Sequence, residues 1–206
     1  MGFVNEMKLV ADKMGLDIFE ILKIAKTKPY GFHAFDPGPG VGGHCIPIDP
    51  NYLHWKAKKF GIDTKFIKLS EKINLKVLNF IISKIKIIKK NKKLRKDFKI
   101  LILGLSYKKN IDDLRESASI KLIEYFKNNN INYEFSDPYI KNKINTRSLK
   151  ITKKSLKITK KNLRKFDISI LMTDHDIFDY KMIYENSKNI IDCRGRYSID
   201  NKVTRA

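Results

Sequence analysis

Residues 91–104 read NKKLRKDFKILILG, and they divide the chain into two kinds of sequence. Residues 91–97 are almost all charged or polar, as a linker is. Lys99–Leu103 is then a short apolar run closed by Gly104, the form of a strand buried on both faces. Beyond it, short apolar runs alternate with helical ones. Strands are expected at Lys99–Leu103, 133–136, 168–172 and 189–192, with helices near 117–127 and 178–187. This alternation predicts an α/β unit, a parallel sheet with helices on both faces. Ligands of such sheets sit at the carboxyl ends of the strands, here near Gly104, Asp137, Thr173 and Arg194. The expected division is a helical region 1–90, a linker 91–97 and an α/β domain 98–206.

Upstream of the linker the apolar spacing is helical. Phe3, Val4, Met7, Val10, Ala11 and Met14 share one face, and Gly15 ends that helix. Asp17 and Glu20 form a capping-box pattern for a second helix that stops before Pro29. Asp49-Pro50 reads as an N-cap and first helical residue of a third, running through Trp55 to Gly61. Asp63 is placed to cap a long fourth helix with the stripe Phe66, Leu69, Ile73, Val77, Phe80, Ile81, Ile85 and Ile88. Leu75, Leu78 and Ile82 widen that stripe, which predicts packing on a partner subunit or a second domain. Tyr52 and Trp55 read as core residues.

The 206 residues carry 43 Lys and Arg against 22 Asp and Glu, a net charge of +21. Such an excess draws a chain toward polyanions. The lysines, however, are spread among Ile and Asn along the whole sequence, with no RNP-like motif, no zinc-finger spacing and no aromatics between basic runs. Neither nucleic acid nor a membrane is therefore expected as a partner. No apolar run nears the ~20 residues of a membrane span, and a soluble, cytoplasmic protein is expected. Cys45 and Cys193 lie far apart, so neither a disulfide framework nor a metal site is expected. The heptad SLKITKK at 148–154 recurs at 155–161. Two copies are too few for a solenoid, and the repeat reads as a duplicated strand-or-loop segment with a solvated basic face.

The loop DPGPGVGGHCIPID, residues 36–49, carries the chemistry. Five glycines between Gly31 and Gly43 permit positive φ and close backbone approach. Cys45 lies near the start of a helix whose dipole would favour a thiolate, the setting of a nucleophile. The competing reading is a buried, inert cysteine. Cys193, in or beside a strand, reads as inert, and His175, between two aspartates after a strand, as a hydrogen-bonded structural residue.

The segment PGPGVGGHCIPIDPNYLHWKAKKFG resembles the active-site loop of the UDP-glucose/GDP-mannose dehydrogenase family. His44 before Cys45 makes it most similar to the UDP-N-acetylglucosamine and UDP-N-acetylmannosamine 6-dehydrogenases within it. Asn5-Glu6 and the run KPYGF at 28–32 match the same group. GLSYKKNIDDLRESAS at 104–119 resembles the opening of the family's UDP-binding domain. TDHDIFDY at 173–180 and Asp192-Cys193-Arg194 resemble its closing motifs.

The resemblance implies a helical central, dimerising region followed by a Rossmann-like parallel-sheet UDP-binding domain. It also implies oxidation of the C6 alcohol of a UDP-N-acetylhexosamine to the uronic acid, with NAD as cofactor, for surface polysaccharide. Cys45 would trap the C6 aldehyde as a thiohemiacetal that becomes a thioester, and Asp49 would orient or activate water. Gly40, Gly42 and Gly43 would meet the sugar through backbone amides. His44 would adjust the cysteine, or contact the acetamido group, or simply pack the loop. Lys108, Lys109 and Arg115 would serve the UDP phosphates and the interface with a cofactor domain, and Arg194 matches a nucleotide-site arginine.

A complete member opens with a GxGxxG domain, followed by a helix bearing a catalytic lysine and an asparagine. Neither is found here. The expectation is a homodimeric enzyme whose NAD is held mainly by an amino-terminal Rossmann domain, this chain being either a truncated gene product or one half of a split dehydrogenase. The alternative is a non-catalytic UDP-sugar-binding or dimerisation remnant.

Overall fold

The computed structural model describes residues 1–140, 144–146 and 149–206. The first helical stripe forms α1 (Gly2–Lys13), which buries Val4, Lys8 and Ala11. Gly15 follows at φ +71°, where a side chain would be strained, and Leu16 N–H closes the turn on Ala11 O at 2.8 Å. Asp17 caps α2 (Ile18–Ala25) by accepting from Phe19 N–H at 3.0 Å.

The third helix departs from expectation. α3 (Cys45–Lys58) starts four residues before the Asp49-Pro50 pair and carries Pro47 and Pro50 within it. The first amides of a helix lack intrahelical acceptors, so Pro47 costs nothing there and helix can precede Pro50. Asp49 is thus not an N-cap. No residue of α3 is buried; Tyr52 and Trp55, read as core, are 65% and 58% exposed.

α4 (Lys65–Asn91) is capped at Thr64, not Asp63, whose carboxylate instead accepts from Lys68 Nζ at 2.8 Å. Its apolar stripe divides in two. Phe66, Leu69 and Leu75 are exposed, whereas Val77, Ile81, Ile82, Ile85 and Ile88 are buried against the sheet. Of the two coverings the stripe predicted, the second domain of the same chain takes the inner half.

Beyond residues 91–97 run β1 (Lys99–Leu103), α5 (Ala118–Asn128), β2 (Asn132–Ser136), the short pair β3 (Ile144–Asn145) and β4 (Lys150–Ile151), and α6 (Lys160–Leu163). Then follow β5 (Ile168–Leu171), α7 (Tyr180–Asn186), β6 (Ile190–Asp192) and β7 (Val203–Arg205). The five-stranded sheet has the order β2-β1-β5-β6-β7, and every pairing in it is parallel. Alternation along β1 sends Ile100 and Ile102 to the face covered by α4 and α5. Leu101 and Leu103 go to the face covered by Leu163, Phe166, Phe178 and Ile183. Among the described residues no helix is long and apolar enough to cross a membrane.

Arg205 on β7 ties the two parts together. Its guanidinium meets Asp192 Oδ2 at 2.5 Å and the α2 cap Asp17 at 2.6 Å, with Arg205 itself 8% exposed. The repeated heptads take different forms. The first, whose Ser148 lies outside the described residues, contributes β4. The second is irregular up to Thr159, the N-cap of α6, and fastens to β2 and the residue after it, Leu156 N–H donating to Phe135 O and Ser155 Oγ bonding both Asp137 N–H and Asp137 O.

Candidate active site

The glycine-rich loop is held at both ends by groups distant in sequence. At its start, Asn5 Oδ1 accepts the N–H of Gly38 at 3.1 Å, and Lys8 Nζ donates to the carbonyl of the same residue at 2.8 Å. At its end, Gly43 N–H donates to Arg115 O at 2.8 Å. Between the anchors the loop lies on the segment after β1. A Cβ on Gly42 would sit 2.4 Å from Tyr107 Cβ, and one on Gly43, at φ +84°, 2.9 Å from the Tyr107 ring. These glycines therefore allow two backbones to dock closely. Gly40 and Gly42 face Ala118 and Tyr107, and the Gly43 amide is already bonded within the chain. Of the three amides expected to meet the sugar, that of Gly43 is thus engaged by Arg115 O.

The docked loop delivers His44 and Cys45 to the start of α3. Cys45 is the first helical residue, and Asp49, one turn later, lies on the same face. His44 Nδ1 is 3.6 Å from Asp49 Oδ1. The ligand atoms of His44, Cys45 and Asp49 all lie within 4.8 Å of one another, and all three residues are exposed. Sequence spacing between the two cysteines held no hint of this grouping, because one helical turn and not a second cysteine assembles it.

Of the trio, His44 lines a cleft of about 1170 Å³. Gly43, His44, Ile48 and Tyr52 form one wall, Arg115, Ser117 and Lys121 another, and Tyr139, Ile140 and Thr146 a third. Arg115 is gripped by Asp113, its Nε 2.9 Å and its Nη2 2.6 Å from Asp113 Oδ2. That bond, with the charge of Asp113, raises the arginine's pKa, and Cys45 is near enough to contribute to the same field. Lys121 pairs with Glu116 at 3.1 Å.

The other basic residues lie elsewhere. Lys109 is exposed and held by Asp176 at 2.9 Å, while Lys108 is exposed with its carbonyl accepting from Ser106 Oγ. Arg194 lies behind the loop, its Nε donating to Met172 O at 2.7 Å and its Nη1 beside Gly38. None of these three lines the cleft. Of the sequence candidates, the structure brings Gly43, His44, Cys45, Asp49 and Arg115 together, and leaves Lys108, Lys109 and Arg194 outside. Sequence reading missed Lys121, Tyr52 as a wall of the cleft, and the wall of Tyr139, Ile140 and Thr146. It also missed Lys8, although a lysine within the Val4 and Ala11 stripe was the available signal.

Beneath the cleft, Asp137 at the end of β2 accepts from Leu105 N–H (2.6 Å), Ser106 N–H (3.2 Å), Tyr139 N–H (2.9 Å) and Ile140 N–H (3.2 Å). His175 Nε2 lies 3.1 Å from the same carboxylate, and its Nδ1 accepts from Asn110 N–H at 3.0 Å. A ring nitrogen that accepts carries no proton, so His175 is neutral and donates through Nε2. Burial alone would raise the pKa of Asp137, but the bonds from His175 and the Leu105 and Tyr139 amides outweigh it and hold it below the usual carboxylate value. His175 thus has the structural role its setting predicted. Cys193 is fully buried, and burial pushes its pKa up to about 12.

Comparison with known proteins gives this geometry a lineage. Residues 1–76 match the UDP-glucose/GDP-mannose dehydrogenase family, central domain, and residues 101–199 match the same family's UDP binding domain. The chain is similar to the UDP-N-acetyl-D-mannosamine dehydrogenase of Methanococcus vannielii, at 36% identity over 143 residues, 68% of this chain and 31% of that protein. It is similar to the enzyme of the same name from Methanocaldococcus jannaschii, at 30% identity over 92% of this chain and 40% of that protein. The solved UDP-D-ManNAc dehydrogenase of Pyrococcus horikoshii superposes with a TM-score of 0.79 at 26% identity, covering 99% of this chain and 47% of that one. The chain thus spans less than half the length of each of these relatives. With both of its regions matched in order, the chain belongs to the UDP-glucose/GDP-mannose dehydrogenase family, of which it carries the central and UDP-binding domains.

Proposed function

We propose that this chain supplies the thiol and the UDP-sugar site of an NAD-dependent UDP-N-acetylhexosamine 6-dehydrogenase, which makes the uronic acid for surface polysaccharide. The observation that carries this reading is the grouping of Cys45 and Asp49, one helical turn apart, with His44, which lines the same cleft as Arg115. The names of the relatives, the M. vannielii and M. jannaschii enzymes among them, favour an N-acetylated hexose as the sugar.

In this reading the UDP part lies along the wall of Arg115 and Lys121, where guanidinium and ammonium groups offset phosphate charge. The C6 carbon reaches Cys45. The thiolate adds to the C6 aldehyde, forming the C–S bond, and the carbonyl oxygen takes up a proton to complete the thiohemiacetal. At the later thioester, Asp49 takes a proton from water as the water oxygen attacks, and the C–S bond breaks to release thiolate and carboxylic acid.

The two oxidations require NAD, and the described residues do not fit it. After β1, Gly104 at φ +82° is filled by Thr173, whose Cβ would lie 2.4 Å from an added Cβ, and the next helix begins only at Ala118. A dinucleotide turn needs backbone approach and a helix start at that point. NAD would therefore sit on a domain outside these residues, and no step is derived through it.

The same proposal keeps the division into a helical unit 1–90, a linker 91–97 and an α/β unit 98–206, acting in the cytoplasm. A homodimer would form through the helical unit, where Phe3, Phe66, Leu69 and Leu75 are exposed, and not through Val77 and Ile81, which are buried within the chain. Calorimetric titration tests the nucleotide site. UDP should bind the wild type and lose at least about tenfold in affinity in Arg115→Ala, the loss of one charge-assisted contact. A folded chain that gives no heat with UDP, or an unchanged variant, would contradict the assignment.

A further inference from the structure

We propose that His44, Cys45 and Asp49 form a site for Zn²⁺, and that the metal reversibly blocks the Cys45 thiol. The first support is the donor set. An imidazole nitrogen, a thiol sulfur and a carboxylate oxygen are the ligand types zinc takes, and three protein ligands with an open fourth position is the make-up of an accessible zinc site.

The second support is spacing. Around a tetrahedral zinc, with metal–ligand lengths near 2.0–2.3 Å, neighbouring ligand atoms stand about 3.3–3.7 Å apart. His44 Nδ1 and Asp49 Oδ1 already stand 3.6 Å apart, and Cys45 Sγ lies within 4.8 Å of both. Small rotations of exposed side chains close the remaining gap. Cys45 and Asp49 are fixed to one face of α3 by their separation of one turn, the i, i+4 arrangement by which a helix offers two ligands to one ion. His44 joins them from the residue before the helix.

Charge opposes the first approach of the ion and is then offset by the ligands. The start of a helix is electropositive, and Arg115 adds to that across the cleft, which disfavours a bare cation. Binding displaces the thiol proton to solvent, so thiolate and carboxylate together present two negative charges to the ion. The fourth position opens toward solvent, where water completes the coordination. A thiolate whose lone pair is held by zinc and whose approach is occupied cannot attack a carbonyl, so the metal and an aldehyde would compete for Cys45.

This inference rests on Cys45 being the exposed thiol of the proposed active site, but its test needs neither NAD nor a sugar. Freshly reduced chain in thiol-free buffer is titrated with Zn²⁺ against a chromogenic chelator. In parallel, iodoacetamide labelling of Cys45 is followed by peptide mapping, with and without Zn²⁺ and after EDTA. One Zn²⁺ should bind per chain, slow labelling of Cys45 at least tenfold, and be reversed by EDTA. Each of His44→Ala, Asp49→Ala and Cys45→Ser should weaken that binding at least tenfold, and in the two variants that keep Cys45 the labelling is compared with the variant's own metal-free rate. His33→Ala, a change at an exposed histidine outside the trio, should leave the affinity unaltered. Zn²⁺ affinity unchanged in Cys45→Ser or in the His44→Ala/Asp49→Ala double variant would overturn the site. So would tight binding without protection of Cys45. Loss of UDP binding with zinc protection intact would instead fail the functional reading and leave this one standing.

Discussion

Lys8 Nζ donates to Gly38 O at 2.8 Å while Lys8 is only 2% exposed, and among the described residues no carboxylate pairs with it. An ammonium in that position is costly, since burial removes its water and one carbonyl replaces little of it. With Asn5 Oδ1 accepting the Gly38 N–H, both polar groups of the residue are held by α1. The loop that carries Cys45 is thus anchored by a residue that the fold accommodates at a stability cost.

That cost sets a pH dependence. Burial pushes the pKa of Lys8 down to about 8, against 10.5 for a free lysine. Between pH 8 and pH 10.5 the unfolded chain binds more protons at this position than the folded chain, so the contribution of Lys8 to stability rises across that window. Below it both states are charged, and the penalty is at its full size, on the order of 3 kcal/mol. Lys8→Met removes the effect. Urea unfolding should show the wild type gaining on the variant from about pH 7 to about pH 10, and amide exchange at 38–44 should quicken selectively in Lys8→Met. A stability difference independent of pH, with unchanged exchange, would contradict the anchoring role.

The two cysteines should separate cleanly. Cys193 is fully buried with its pKa pushed up to about 12, which leaves about one thiolate in 10⁵ at neutral pH. Cys45 is exposed. Limited iodoacetamide treatment of the folded chain should modify Cys45 at least about 100-fold faster than Cys193. Comparable rates before unfolding would mean that Cys193 is not buried as described.

The alternation of apolar runs after residue 97 was enough to read the parallel sheet, because buried strands are written locally in Ile, Leu and Val. The edge strand β7 was not legible: three residues, Val203–Arg205, carry no period. α3 was misplaced because Pro50 resembled a first helical residue, whereas the helix begins at Cys45 and carries Pro50 in its second turn. Cys45, His44 and Asp49 could be found from one loop. What holds the loop could not, since Gly43 meets Arg115 and Gly38 meets Lys8 only through the tertiary fold. The docking of Gly42 on Tyr107 was hidden for the same reason: glycine signals close approach without saying to what.

Gly104 and Gly61 allow a paired comparison. Both have positive φ, +82° and +73°, but a Cβ on Gly104 would stand 2.4 Å from Thr173 Cβ and 2.6 Å from Thr173 O, while Gly61 has open space. Gly61→Ala should cost about 1 kcal/mol, from backbone strain alone, and Gly104→Ala about 3 kcal/mol or more. Thermal unfolding of the two variants decides it, and equal losses would remove the close packing of the β1 turn on Thr173.

Asp137 should be a stability hub sensitive to acid. Its folded pKa lies below the ordinary 3.8, so its contribution is present above that value and lost as the pH falls through the folded one. Asp137→Asn keeps the shape but replaces an acceptor oxygen with a donor against the Leu105, Ser106, Tyr139 and Ile140 amides and His175. A loss of about 2–4 kcal/mol near pH 7 is expected, with the gap to the wild type narrowing below about pH 3.8. A constant gap would mean that the carboxylate charge does not hold these loops.

The most direct measurement is NADH formation from a UDP-N-acetylhexosamine after this chain is mixed with an NAD-binding domain of a family member. The chain alone should form none, because the described residues offer no place to hold the nicotinamide within about 3–3.5 Å of C6. The mixture should form two NADH per uronic acid released, and Cys45→Ser in the same mixture should abolish the acid. Robust NADH formation by the chain alone, or undiminished acid from the Cys45→Ser mixture, would contradict the account.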